Sequence, residues 1–436
     1  MRILPRLHPL PLAPPHPRLP GLQTPGLQRL ANGAQVVSLH LPEAPLVCLD
    51  FWCRAGSAYE GGGESGMAHF LEHMVFKGSR RLGPGEFDRR IEALGGSSNA
   101  ATGFDDVHYH VLIPPEAAPE ALELLLELVL EPRLEEQAFA MERQVVLEEL
   151  AQSEDQPDEV ALQRLLSQAC PRHPYGEAIL GRREQLLAHT PAAMAAFQQR
   201  LYRPARCTLA ISGSLDPDTA STAALWQQLQ DSALARLEPG GEEPALPPLQ
   251  LQPGDERLTI PRLESARLLM VWGLPPARDL SAVMAADLFT SLLAEGRRSR
   301  LVDRLREQLR LVESIDLDLH VMECGSLALL EAIGDPEDLP AIRSAIGQVW
   351  QELASEAIEA EEWQRTTRLV ANGYRFGLES AGGVAGVLGN NHLWSRPQAL
   401  EAPLLELERW DPQRLLSTYL PLFALDRACV LEAVPA

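Results

Sequence analysis

The chain has a single lysine, Lys77, and every other basic side chain is an arginine. Taken alone, that scarcity reads as a base-composition bias of the coding sequence and points to no function. Aromatic residues make up 5% of the 436 positions, and the formal net charge is −22. With no basic patch and no aromatic run, a nucleic-acid surface is excluded, because it needs clustered cations and stacking platforms. No apolar stretch approaches the roughly 18 residues that cross a bilayer, which excludes a spanning helix. The six cysteines (Cys48, Cys53, Cys170, Cys207, Cys324 and Cys429) are scattered without C-x-x-C spacing. They read as free, mostly buried thiols in a reducing, cytoplasmic setting rather than a disulfide framework or a cysteine metal site.

What is present is ordinary for a globular chain: 45% hydrophobic and 22% charged residues, with length enough for two or more domains. Residues 1–26 form a proline-rich N-terminal tail. Its prolines rule out a helix, and it lacks both the apolar centre of a signal peptide and the amphipathic pattern of a transit peptide. A second stretch rich in Pro, Gly and acid, within 236–256, reads as a linker between domains at 27–235 and 257–436. The two halves echo each other. Leu49-Asp50-Phe51-Trp52-Cys53-Arg54-Ala55-Gly56 and Leu268-Leu269-Met270-Val271-Trp272-Gly273-Leu274-Pro275 are both apolar strands leading towards a helix. Short strands mix with amphipathic helices such as 120–129 and 342–353, which makes the fold class α+β, a duplicated sheet-plus-helices unit.

The chemistry is concentrated in His69-Phe70-Leu71-Glu72-His73, an H-x-x-E-H sequence in helical context. Residues four apart stack on one helix face, so His69 and His73 can grip one metal ion while Glu72 reaches a water bound to it. Ser65 is the expected N-cap and Gly78 the expected stop. A catalytic zinc takes three protein ligands and one open position, so a third donor is needed. The acidic helix over 135–150 offers several, with Glu142 and Glu149 seven apart on one face. Val145, Val146 and Leu150 are expected to bury that helix against the first. The corresponding helix of the second half, 282–295, has no histidine, so only one half carries this site.

These residues resemble the inverzincin metallopeptidases, the family of the mitochondrial processing peptidase, pitrilysin and insulin-degrading enzyme. Further stretches carry the likeness: Leu30-Ala31-Asn32-Gly33, Arg54-Ala55-Gly56-Ser57, Gly95-Gly96-Ser97-Ser98-Asn99-Ala100, His173-Pro174-Tyr175-Gly176, Tyr202-Arg203-Pro204 and Gly296-Arg297-Arg298-Ser299-Arg300-Leu301. The resemblance implies zinc held by His69, His73 and Glu149, the last chosen over Glu148 by the family's spacing. It also implies Glu72 as general base, Glu142 as support for a ligand, and Asn99 and Ala100 on the edge strand that receives an extended peptide.

It implies further that the chain is half of a clamshell that closes on a chamber, working as a homodimer or beside a zinc-free sister subunit. In the family the distant half contributes an Arg and, seven residues later, a Tyr. Here Arg306 is followed at that distance by Glu313, which cannot replace a phenol donor beside a developing oxyanion. The missing pair would then come from the sister subunit. The expected activity is zinc-dependent hydrolysis of peptides or unfolded segments, with basic peptides drawn to the acidic chain. The alternative is a poorly active or non-catalytic peptide-binding or scaffold subunit of the same fold.

Overall fold

The computed structural model describes residues 24–240, 245–397 and 399–436. Most of the N-terminal tail, and residues 241–244 of the expected linker, lie outside them.

Two sheets organise the chain. The first contains β1 (Gly26–Arg29), β2 (Gln35–His40), β3 (Val47–Cys53), β4 (Ser97–Thr102), β5 (Val107–Ile113) and β6 (Cys207–Gly213), in the order β1-β2-β6-β3-β5-β4. The second contains β7 (Gly254–Ile260), β8 (Ala266–Leu274), β9 (Ser314–His320), β10 (Ser326–Gly334) and β11 (Cys429–Pro435), in the order β7-β11-β8-β10-β9. The second sheet repeats the first without β1. β2 pairs parallel with β6 as β7 does with β11, and the remaining pairs in both sheets are antiparallel. The two echoing sequence segments fall on β3 and β8, which hold equivalent places.

The first sheet is covered on both faces, so β3 is buried at every position and its sequence, apart from Asp50, is apolar throughout rather than alternating. One face carries α1 (Met67–Val75), α2 (Ala118–Leu130) and α3 (Glu136–Asp155), whose core includes Phe51, Phe70, Tyr109 and Phe139. The halves exchange helices across their junction. α4 (Pro157–Ala169), from the first half, sets Ala161, Leu165 and Ala169 against Leu269, Val271 and Leu431 of the second sheet. In the second half α5 (Leu280–Ala294) lies in its own core, while α6 (Ala381–Leu393) crosses to the first sheet. There Val384, Ala385 and Leu388 meet Val37, Leu39 and Cys48.

Residues 245–253 form no strand or helix, but their leucines are not idle. Leu246, Leu249 and Leu251 pack into the cluster between the halves, and Gln252 N donates to Ala169 O at 2.8 Å. All six cysteines are free and five are buried. No helix among the described residues is long and apolar enough to cross a membrane.

Candidate metal centre

α1 presents the motif at the surface of the first core. Its buried side chains Phe70, Leu71, Met74 and Val75 fix the helix rotation, which leaves His69, Glu72 and His73 facing α3 and β4. The helix does not start as expected. Gly66, with φ of 81°, is the N-cap, and Ser65 Oγ is buried without a hydrogen bond among the described residues. The free amides at the helix start are taken by Glu60, whose carboxylate accepts from Gly66 N at 2.9 Å and Ala68 N at 2.8 Å. Burial pushes Glu60 up to about 8, so near pH 7 its oxygens serve the unpaired N–H groups as acceptors rather than as a full charge on the helix dipole. Sequence reasoning missed Glu60 because it acts from six residues upstream, across Gly61-Gly62-Gly63. The helix stops at Val75 with Phe76 as C-cap. Gly78 (φ 113°) turns the chain beyond it, where a Cβ would lie 2.7 Å from Leu82 O.

His69, His73 and Glu149 converge, with one candidate ligand atom from each lying within 4.8 Å of the others. Glu149 Oε1 is 3.6 Å from His69 Nε2, and its Oε2 is 3.3 Å from His73 Nε2. Donors placed about 2.1 Å from a tetrahedral ion are about 3.4 Å apart, so this trio fits an ion such as zinc. Glu148, the neighbour, is exposed and outside the trio. One expectation for α3 is corrected: Val146 and Leu150 are buried, but Val145 is 47% exposed. It precedes Glu149 by one turn and shares its outward face.

Glu142 accepts from His73 Nδ1 at 2.9 Å and pairs with Lys77 Nζ at 2.7 Å. Burial works to raise the Glu142 carboxyl, but those two partners hold it below the usual range. An ionised Glu142 favours His73 as the Nδ1–H tautomer, which leaves the Nε2 lone pair available to a metal ion. Burial, helped by the neighbouring His73, pushes His69 down to about 4, so it is neutral near pH 7. Burial also raises Glu72, opposed by a hydrogen bond from the Thr102 hydroxyl and by His73. A carboxyl raised in this way and held beside a metal site can exchange a proton with water. Thr102 had no signal in the sequence, because only the fold brings the end of β4 under α1.

The edge-strand expectation agrees with the topology. β4 is the outermost strand on its side and pairs only with β5. Asn99 is exposed on it, and its Oδ1 accepts from Ala100 N at 3.0 Å. Arg306 lies in the second half, donating to Glu307 at 3.0 and 2.9 Å, while Ser265 Oγ donates to Glu313 at 3.1 Å. Among the described residues, no hydrogen bond or ion pair joins either one to the trio.

Comparison with known proteins places this geometry in context. A zinc protease of Mycobacterium tuberculosis, itself uncharacterized, is 27% identical over 386 residues, covering 87% of this chain and 86% of its own. A probable mitochondrial-processing peptidase subunit beta of Arabidopsis thaliana is 32% identical over 186 residues, covering 43% and 35%. The crystal structure of a protease from Helicobacter pylori shares the fold, with a TM-score of 0.84 at 24% identity and coverage of 94% of this chain and 99% of that one. Residues 35–183 match the family model described as insulinase (peptidase family M16), and residues 189–369 match that of the M16 inactive domain. The chain therefore belongs to the insulinase family of peptidases, its first half of the insulinase type and its second of the inactive type.

Proposed function

We propose that this chain is a zinc-dependent endopeptidase that cleaves peptides or unfolded segments. The observation that carries the reading is the convergence of His69, His73 and Glu149 beside the Glu72 carboxyl. Zinc on those three donors would supply Lewis acidity towards a peptide carbonyl and acidify a water. Glu72 then takes a proton from the attacking water and delivers it to the leaving amine, so that one C–O bond forms as the C–N bond breaks. Thr102 holds Glu72 in place for both transfers. An extended substrate would add to the open edge of β4 near Asn99 and Ala100 through main-chain hydrogen bonds, a sequence-tolerant mode of recognition. The relatives named zinc proteases support the reading.

The chain would act as one half of a clamshell whose other half is a second copy or a zinc-free sister. Two observations favour a sister. Glu313 stands where a phenol donor is expected, and Arg306 is engaged by Glu307. The test is hydrolysis of a quenched, Arg-containing peptide by the purified, zinc-loaded chain, with Glu72→Gln as control. Turnover that falls about 100-fold or more in the variant, with zinc content unchanged, supports a self-sufficient peptidase. Hydrolysis by Glu72→Gln at the parent rate would overturn the mechanism. Zinc bound at the trio without turnover would mean that a sister completes the site.

A further inference from the structure

A second group of donors lies on the other face of the same sheet. In the antiparallel pairing of β3 with β5, Asp50 stands opposite His110 and Trp52 opposite His108. Strand alternation puts Asp50, His108 and His110 on one face. That face is turned away from α1. Leu49, Phe51, Tyr109 and Val111 point into the core beneath α1, whereas Cys48, of the same parity as Asp50, meets α6.

We propose that Asp50, His108 and His110 form a second site for a divalent transition-metal ion, independent of the trio on α1. One candidate ligand atom from each lies within 4.8 Å of the other two, and His108 Nδ1 is 3.1 Å from Asp50 Oδ1. Two imidazoles and a carboxylate are borderline donors that select zinc, cobalt, nickel or ferrous iron over calcium or magnesium. The site is also prearranged. His108 stacks on Trp52 at 4.2 Å with planes 15° apart, and His110 stacks on His108 at 5.7 Å, which fixes both rings by packing. Asp50 is only 3% exposed, and His108 is its one described hydrogen-bond partner. A buried carboxylate is costly to keep without a cationic partner, a role that His108 fills when protonated and a metal ion fills when it is neutral. A simple Asp–His pair would need no third donor within ligand reach.

Entry is available. His108 lines a cavity of about 540 Å³ between the halves, together with Trp52, Thr102, Met322 and Trp394, and His110 is partly exposed. An ion here would pin β3 to β5 where α6 of the second half closes over the sheet.

The test counts metal on the full-length chain, stripped and then equilibrated with excess Zn2+ or Co2+ and desalted. Four proteins are compared: the parent, His110→Ala, His69→Ala/His73→Ala, and the triple variant. His110 is partly exposed, so its loss should spare the fold, which circular dichroism checks. The expected ratios are two, one, one and zero ions per chain, with cobalt spectra of two distinct environments in the parent. A parent holding one ion that persists in His110→Ala and vanishes in His69→Ala/His73→Ala would overturn this site. An ion that survives in the triple variant would also overturn it, because it would lie elsewhere. If the trio itself fails to bind, the parent holds one ion that His110→Ala removes, so the two readings fail separately.

Discussion

Lys77 Nζ lies 2.7 Å from Glu142 Oε2, and Glu142 Oε1 lies 2.9 Å from His73 Nδ1. The only lysine of the chain is thus tied through one carboxylate to a candidate metal ligand. The arginine-for-lysine bias accounts for its rarity but not for where it stands. It sits one turn beyond His73, where an ammonium reaches a carboxylate that is 8% exposed. Burying Glu142 without that cation would leave His73 as its single partner.

The relay predicts graded losses. Glu142→Gln should weaken zinc binding about 10- to 100-fold, the usual effect of removing a carboxylate behind a ligating imidazole. Lys77→Met should weaken it less, since the hydrogen bond to His73 survives. Competition against a calibrated chelator measures both. Equal affinity in Glu142→Gln and the parent would sink the idea.

Thr102 supplies a second prediction, this one about rate. Its hydroxyl donates to Glu72, and a hydrogen bond to a charged acceptor contributes about 1.5–3 kcal/mol. Thr102→Val should therefore lower kcat about 10- to 100-fold while zinc content stays at the parent level. Thr102→Ser should restore most of the rate. Loss of zinc together with rate would reassign Thr102 to structural support.

How legible all this was depended on distance along the chain. The helical pair His69 and His73 is a local pattern and could be read directly. The duplication was visible because β3 and β8 are covered on both faces and so carry matching apolar runs. Glu149 over Glu148 needed a family spacing, since two adjacent acids on one helix look alike until its partner is known. Thr102, Glu60 and the Asp50–His108–His110 group were not legible, for each depends on a register or a loop path. Val145 was misjudged because it lies on the outward face of its helix with Glu149, where it is 47% exposed, and an apolar residue need not be buried.

A pH effect follows from the junction between the halves. Asp105 is 4% exposed, accepts from Tyr175 Oη at 2.5 Å and from Glu323 N at 2.7 Å, and is pushed up to about 6, chiefly by burial. The unfolded chain gives up this proton near the ordinary 3.8. Asp105 thus contributes stability in full below about pH 3.8, and that contribution is lost as the pH rises through about 6. The amount is at most about 3 kcal/mol, at ~1.4 kcal/mol per pH unit. Asp105→Asn cannot ionise, so the fall in Tm between pH 4 and 7 should be smaller in the variant than in the parent. Parallel Tm profiles would refute this.

Glu60 gives the last test, because it separates building the zinc helix from doing chemistry on it. Its carboxyl accepts from two amides at the start of α1, and no hydrogen bond among the described residues joins it to the three donors. Removing a helix N-terminal acceptor costs about 0.5–2 kcal/mol. Glu60→Ala should lower Tm by a few degrees and loosen the first turn of α1, where His69 sits, more than the last, where His73 sits. Zinc affinity should then fall modestly, by less than the Glu142→Gln loss, while kcat of the zinc-loaded fraction stays near the parent value. A variant with the parent's Tm and affinity would mean that water replaces the carboxylate at no cost. A collapse of kcat at full zinc loading would instead put Glu60 in the reaction itself.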